Sequence, residues 1–115
     1  MTLQELYAGL LDSGYPVTYR AFPEDDNAPA PPFICYLFVG DADLYADDSN
    51  YQAIGEYHIE LYTETKDVAA EAAVEAELAT LGLTWTKAET YIDTEDLYQI
   101  LYAVRIVATA DESVS

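Results

Sequence analysis

Basic residues are scarce in this chain. Lys and Arg number 4 against 22 Asp and Glu, a formal charge of −18 over 115 residues. Nucleic-acid binding by counterion release uses roughly one Lys or Arg per neutralised phosphate, so this balance argues against a stable nucleic-acid partner. Anionic membrane surfaces would repel the chain for the same reason. Cysteine occurs once, at Cys35. No intrachain disulfide can form, and an oxidising compartment is not implied. The start shows no basic stretch followed by an apolar run, so no secretory signal is expected. No apolar run reaches the ~18 residues of a membrane span. There is no glycine-rich phosphate loop and no Gly-x-Ser-x-Gly. The chain reads as made in a cytoplasm and used soluble or in an assembly.

A globular core is nevertheless present. Leu, Ile, Val and Phe supply 28 residues, and 11 tyrosines add apolar bulk with a polar tip. That content lies above the ~20% level that marks disordered acidic chains. The length suits one domain over residues 1–110, with 111–115 as a frayed tail.

Periodicity sets the expected elements. Thr2 precedes Leu3, Leu6, Tyr7, Leu10 and Leu11, one face of a helix, and Thr2 with Glu5 makes a capping box. Gly14 and Pro16 end it. A strand is expected over Tyr15–Phe22. Four prolines exclude the stretch Pro23–Pro32 from a sheet interior. Phe33–Val39 is apolar throughout and reads as a strand covered on both faces. An acidic loop follows over Asp41–Asn50, with a short extended piece at Leu44 and Tyr45. Tyr51–Thr63 alternates, with Tyr57, Ile59 and Leu61 inward and Glu56, His58, Glu60 and Tyr62 outward. Asp67–Leu81 is an Ala- and Glu-rich helix with Val68, Val74, Leu78 and Leu81 as its buried stripe and Gly82 as its cap. Leu83–Ile92 and Leu97–Thr109 form a hairpin through the Asp93–Asp96 turn. The order α-β-β-β-α-β-β predicts an α+β domain, with an antiparallel or mixed twisted sheet and both helices on one face.

Candidate sites are few. Asp41, Asp43, Asp47 and Asp48 resemble a calcium loop in charge only. Counting from Asp41, an EF-hand needs Gly at position six and Glu at twelve, where Ala46 and Gln52 stand. Cys35 sits in an apolar run and His58 on an outer strand face, a poor nucleophile–base pair. One Cys and one His cannot make a zinc site without carboxylates. No catalytic, cofactor-binding or metal residue is therefore assigned, and no cofactor and no enzymatic activity are expected. The tyrosines lack the basic groove of a stacking platform, so core and interface packing is expected of them. Arg20, Lys66, Lys87 and Arg105 stand out by rarity. Each is expected to meet a carboxylate, within the chain or across a subunit boundary.

Three blocks carry a family resemblance: Pro32–Phe38 (PFICYLF), Asp47–Asp67 (DDSNYQAIGEYHIELYTETKD) and Glu89–Ile106 (ETYIDTEDLYQILYAVRI). Together they resemble small tail-completion or tail-terminator (head–tail joining) proteins of tailed phages and prophages of Gram-positive bacteria. The resemblance spans nearly the whole chain. It implies a virion subunit at the head–tail junction that forms a ring, usually a hexamer. The ring caps the tail tube and joins it to the head connector, with no enzymatic activity and no cofactor. The acidic loops Glu24, Asp25, Asp26 and Asp41, Asp43, Asp47, Asp48 are candidates for a DNA-repelling channel wall or a docking rim. Arg20, Lys66, Lys87 and Arg105 are candidates for cross-subunit ion pairs. The alternative of another class is an acidic DNA mimic that occupies the DNA site of a host defence enzyme.

Overall fold

The structure is a computed structural model that describes residues 1–23, 28–41, 44–46, 50–52 and 54–107. The expected tail at 111–115 lies outside them. Helix α1 (Leu3–Leu11) starts on the expected capping box: the Thr2 hydroxyl accepts from the Glu5 amide at 3.1 Å, and the Thr2 amide donates to Glu5 Oε1 at 3.1 Å. Its buried face is Leu6, Gly9 and Leu10, while Tyr7 and Leu11 of the expected stripe are exposed. Gly9 sits where a β-carbon would come 2.8 Å from Leu81 Cδ1, so the missing side chain lets the second helix approach.

Strand β1 (Val17–Tyr19) is much shorter than the eight residues expected. Arg20 adopts φ +70, which ends the extended run, and the Ala21 amide turns back onto the Tyr19 carbonyl. Strand β2 (Phe33–Asp41) pairs parallel with β1 and antiparallel with β5 (Ile54–Thr63). Its Ile34, Cys35 and Tyr36 are buried, but Val39 is exposed, so cover on both faces holds for only part of the run. Between β2 and β5 the chain forms a two-stranded ribbon, β3 (Leu44–Ala46) and β4 (Asn50–Gln52). The extended piece read at Leu44 and Tyr45 is therefore one strand of a pair, and the long strand read from Tyr51 is two strands.

Helix α2 (Val68–Thr80) is capped by the Asp67 carboxylate, which accepts from the Ala70 amide at 3.0 Å. It ends in a Schellman motif, with Gly82 at φ +77, Gly82 N–H bonded to Ala79 O and Leu83 N–H bonded to Leu78 O. Strands β6 (Trp85–Ile92) and β7 (Leu97–Val107) form the expected hairpin. The sheet order is β1-β2-β5-β7-β6. The architecture is α+β, a mixed five-stranded sheet with two helices, in the expected order with the ribbon added.

The register explains the layers. Ile34, Leu61 and Ile100 lie in one row, as do Tyr36, Ile59 and Tyr102. These residues join Leu6, Leu10, Val74 and Leu78 of the helices in one core. The opposite row of Cys35, Glu60, Leu101 and Ala88, and that of Leu37, His58, Ala103 and Thr86, form the other sheet face. Among the described residues no strand pairs with the outer edge of β6.

Candidate assembly surface

The four basic residues fall into two groups. Lys66, Lys87 and Arg105 pair within the chain. Lys66 reaches Glu71 Oε2 at 2.7 Å and Glu89 Oε1 at 2.5 Å; Lys87 reaches Glu71 Oε1 at 2.8 Å and Glu75 Oε2 at 2.7 Å. Arg105 meets Glu56 at 3.0 Å across neighbouring strands, where both are well exposed. Arg20 is exposed and has no ion pair among the described residues.

Glu71 is the anchor of the lysine network and was not singled out as buried by the sequence. Only 4% of it is exposed, whereas Val68, read as part of the buried stripe, is 67% exposed. The signal was available in the spacing, because Glu71 lies three residues before Val74 and seven before Leu78 on the same helix face. Burial pushes its carboxyl up, but the hydrogen bonds from Lys66 and Lys87 outweigh this and hold it below the ordinary carboxylate value. Both lysines are held above their ordinary values by the glutamates they touch. The Tyr102 hydroxyl donates to Glu75 Oε2 at 2.8 Å, and the Lys87 ammonium lies 5.9 Å from the Tyr102 ring. Burial, with this hydrogen bond next, raises the Tyr102 phenol. This cluster ties α2 to the edge strand β6. It is a structural clamp with every polar group answered.

Asp41 is exposed at the end of β2, paired in register with Gly55. Glu24, Asp25, Asp26, Asp43, Asp47 and Asp48 lie outside the described residues. Cys35 is buried and its thiol is pushed up to about 11, by burial first and Glu60 second. A thiol held protonated is a poor nucleophile. Among the described residues no group of three or more His, Cys, Asp and Glu could hold a metal ion. No helix there is long and apolar enough to cross a membrane.

Three surface features remain. One is a cleft of about 330 Å³ at the Phe33 end of β2, lined by Arg20, Phe22, Pro29, Phe33, Tyr62 and Leu97 among others. Its aromatic wall is a ladder: Phe22 meets Phe33 edge-on at 5.5 Å, and Phe33 stacks on Tyr62 at 5.1 Å. Another is the β3–β4 ribbon at the opposite end of β2. A further hollow of about 390 Å³ lies between the Glu56–Arg105 pair, His58, Ala103 and Thr86 on the face away from the helices.

Comparison with solved structures finds this arrangement elsewhere. A chain from the structure titled "Virion of native gene transfer agent (GTA) particle" superposes with a TM-score of 0.61, over 90% of this chain and 88% of that one, at 19% sequence identity. The two chains share a fold. No family model matches the sequence, and no curated protein matches it. The shared fold extends over nearly all of both chains rather than a local motif.

Proposed function

We propose that this chain is a non-enzymatic structural subunit of a phage or phage-like virion, a tail-terminator ring subunit at the head–tail junction. The observation that carries this reading is the fold shared along 90% of the chain with a chain of a virion particle. The resemblance of the Pro32–Phe38, Asp47–Asp67 and Glu89–Ile106 blocks to tail-completion proteins supplies the finer role. In that role the ring caps the tail tube and meets the head connector. Carboxylates along its lumen would repel DNA phosphates over roughly a Debye length, ~8 Å at physiological salt, so that DNA passes without sticking.

Charge sets the assembly conditions. Six copies would carry −108, from −18 each. Low ionic strength then favours monomers and salt favours rings by screening. Light scattering across a salt series, with and without purified tail tubes, tests the reading. A ring on tubes or at high salt supports it. A monomer under every condition rejects the ring, and absence of the chain from purified virions rejects the virion role. Salt-sensitive capture of a host nuclease would favour the DNA-mimic alternative instead.

A further inference from the structure

The outer edge of β6 carries a symmetry in its residue types. On the helix side of the sheet Trp85, Lys87, Glu89 and Tyr91 stand beside Val104, Tyr102, Ile100 and Tyr98 of β7. On the open side Thr86, Ala88 and Thr90 stand beside Ala103, Leu101 and Gln99. Counted outward from Ala88 in both directions, a cation answers an anion, then threonine answers threonine, then one aromatic ring answers another. Every β6 residue between Trp85 and Ile92 is exposed. The register with β7 is unbroken from Trp85 to Ile92, so no bulge turns the edge away.

Charge on an edge strand normally discourages pairing. Here its arrangement does the reverse. Two copies of one edge, related by a two-fold axis normal to the sheet, run antiparallel. An axis through Ala88 sets Trp85 against Tyr91, Thr86 against Thr90, Lys87 against Glu89 and Ala88 against itself. Directly opposite residues share a face, with β-carbons ~4.5–5.5 Å apart, within reach of an ion pair. Moving the axis to Lys87 or Glu89 sets like charges against each other, and moving it further shortens the ladder. The lysine clamp leaves room for the new pairs. The Lys87 ammonium has three donors, and two of them serve Glu71 and Glu75. Glu89 meets Lys66 through Oε1, and its Oε2 has no ion pair among the described residues.

We propose that β6 is a two-fold joint: it pairs antiparallel with β6 of a second copy, centred on Ala88, and joins the two five-stranded sheets into one. Lys66, Glu89, the second copy's Lys87 and its Glu71 then form one line of alternating charge across the joint. The contact is isologous, closes at two copies and cannot by itself make a ring, so it is independent of the ring reading. Two copies carry −36, from −18 each. The pair forms where salt screens that repulsion and comes apart at low ionic strength.

Cysteine cross-linking reads the register, with native Cys35 buried and silent. Ala88→Cys should cross-link to itself under mild oxidation at screening salt. Opposed Cα atoms in either kind of antiparallel pair lie ~4.5–5.5 Å apart, within disulfide range. Thr86→Cys alone should not cross-link, because its two copies stand roughly 13 Å apart along the strands; mixed with Thr90→Cys it should. Light scattering should give the monomer mass at low salt and twice that mass at screening salt. Thr86→Asp with Thr90→Asp, on the open side away from the clamp, sets like charges opposite each other. That variant should stay monomeric while its cooperative melt persists. Thr86→Lys with Thr90→Glu sets opposite charges there and should dimerise at several-fold lower concentration. A monomer at every salt overturns the joint, as does a dimer that survives Thr86→Asp with Thr90→Asp, or cross-linking by Thr86→Cys alone. A ring assembled without the Ala88→Cys cross-link overturns the joint and leaves the ring reading standing. A cross-linked dimer that stays a dimer on tail tubes supports the joint and counts against the ring.

Discussion

Replacing Glu71 by Gln separates two effects of opposite sign. In a chain of net charge −18, loss of one carboxylate relieves general repulsion and should stabilise the fold slightly. At Glu71 the local effect opposes this. Its carboxylate accepts from Lys66 at 2.7 Å and Lys87 at 2.8 Å, with its own side chain only 5% exposed. The lysines are 45% and 39% exposed, so solvent screens each pair and the worth of a fully buried ion pair does not apply. Each lysine also keeps a second acceptor, Glu89 or Glu75, so no buried ammonium is orphaned. What is lost is the charge on one shared acceptor, about 1 kcal/mol net. For a domain of this size that lowers the melting temperature by about 4 °C. Glu64 is exposed and has no hydrogen bond or ion pair among the described residues, so Glu64→Gln is the control and should melt at the native temperature or slightly above it. The pH dependence carries a sign too. Glu71 titrates below its ordinary 4.5 in the folded chain, so its contribution is complete above that value and fades as pH falls through the folded one. The gap between native protein and Glu71→Gln should be full at pH 7 and close under acid. Thermal melts by circular dichroism at several pH values decide it. A Glu71→Gln variant that melts at or above the native temperature at pH 7 refutes the clamp.

Leu78→Asp places a charge among Val74, Leu10 and the sheet, where no cation waits, and should abolish the cooperative melt; a soluble, cooperatively folding variant would contradict the assigned helix face. Tyr57 is fully buried and its hydroxyl has no hydrogen-bond partner among the described residues. Tyr57→Phe should therefore stabilise by about 1 kcal/mol, read as a higher urea midpoint, and a lower midpoint would reveal a partner for that hydroxyl. The protein should not bind double-stranded DNA at ~0.15 M salt; micromolar retention in a gel-shift assay would break that expectation.

Regular periodicity made most of the fold legible. In β5, alternation alone placed Tyr57, Ile59 and Leu61 on the core side, and all three are fully buried. Thr2 with Glu5, and Gly82, fixed helix ends because capping is a local event. Errors came where a neighbour decided. β1 stops at Tyr19 because Arg20 takes a left-handed conformation that its residue type does not advertise. Val68 faces out and Glu71 faces in because two lysines from the α2 approach and from β6 converge on that carboxylate, a tertiary event that residue hydrophobicity ranks backwards. Of the candidate site residues, the internal pairing of Lys66, Lys87 and Arg105 depended on strand register, which composition does not encode.

The open edge of β6 gives the acidity a second meaning. Among the described residues no strand covers this outermost strand, so alternate residues of its eight present unpaired backbone donors and acceptors, and the side chains between its two ends are exposed. Such an edge can template further strands, and inward charge, proline or a bulge usually blunts it. No proline or bulge interrupts β6. Lys87 and Glu89 place charge on the strand itself, although both are engaged in the clamp, and the wider safeguard is colloidal: molecules that carry −18 rarely meet edge to edge. Near the isoelectric point, about 4.1, that barrier vanishes while the backbone edge persists. Acidification should therefore turn a stable solution into a strand-rich precipitate with amyloid-dye binding before the sheet itself unravels.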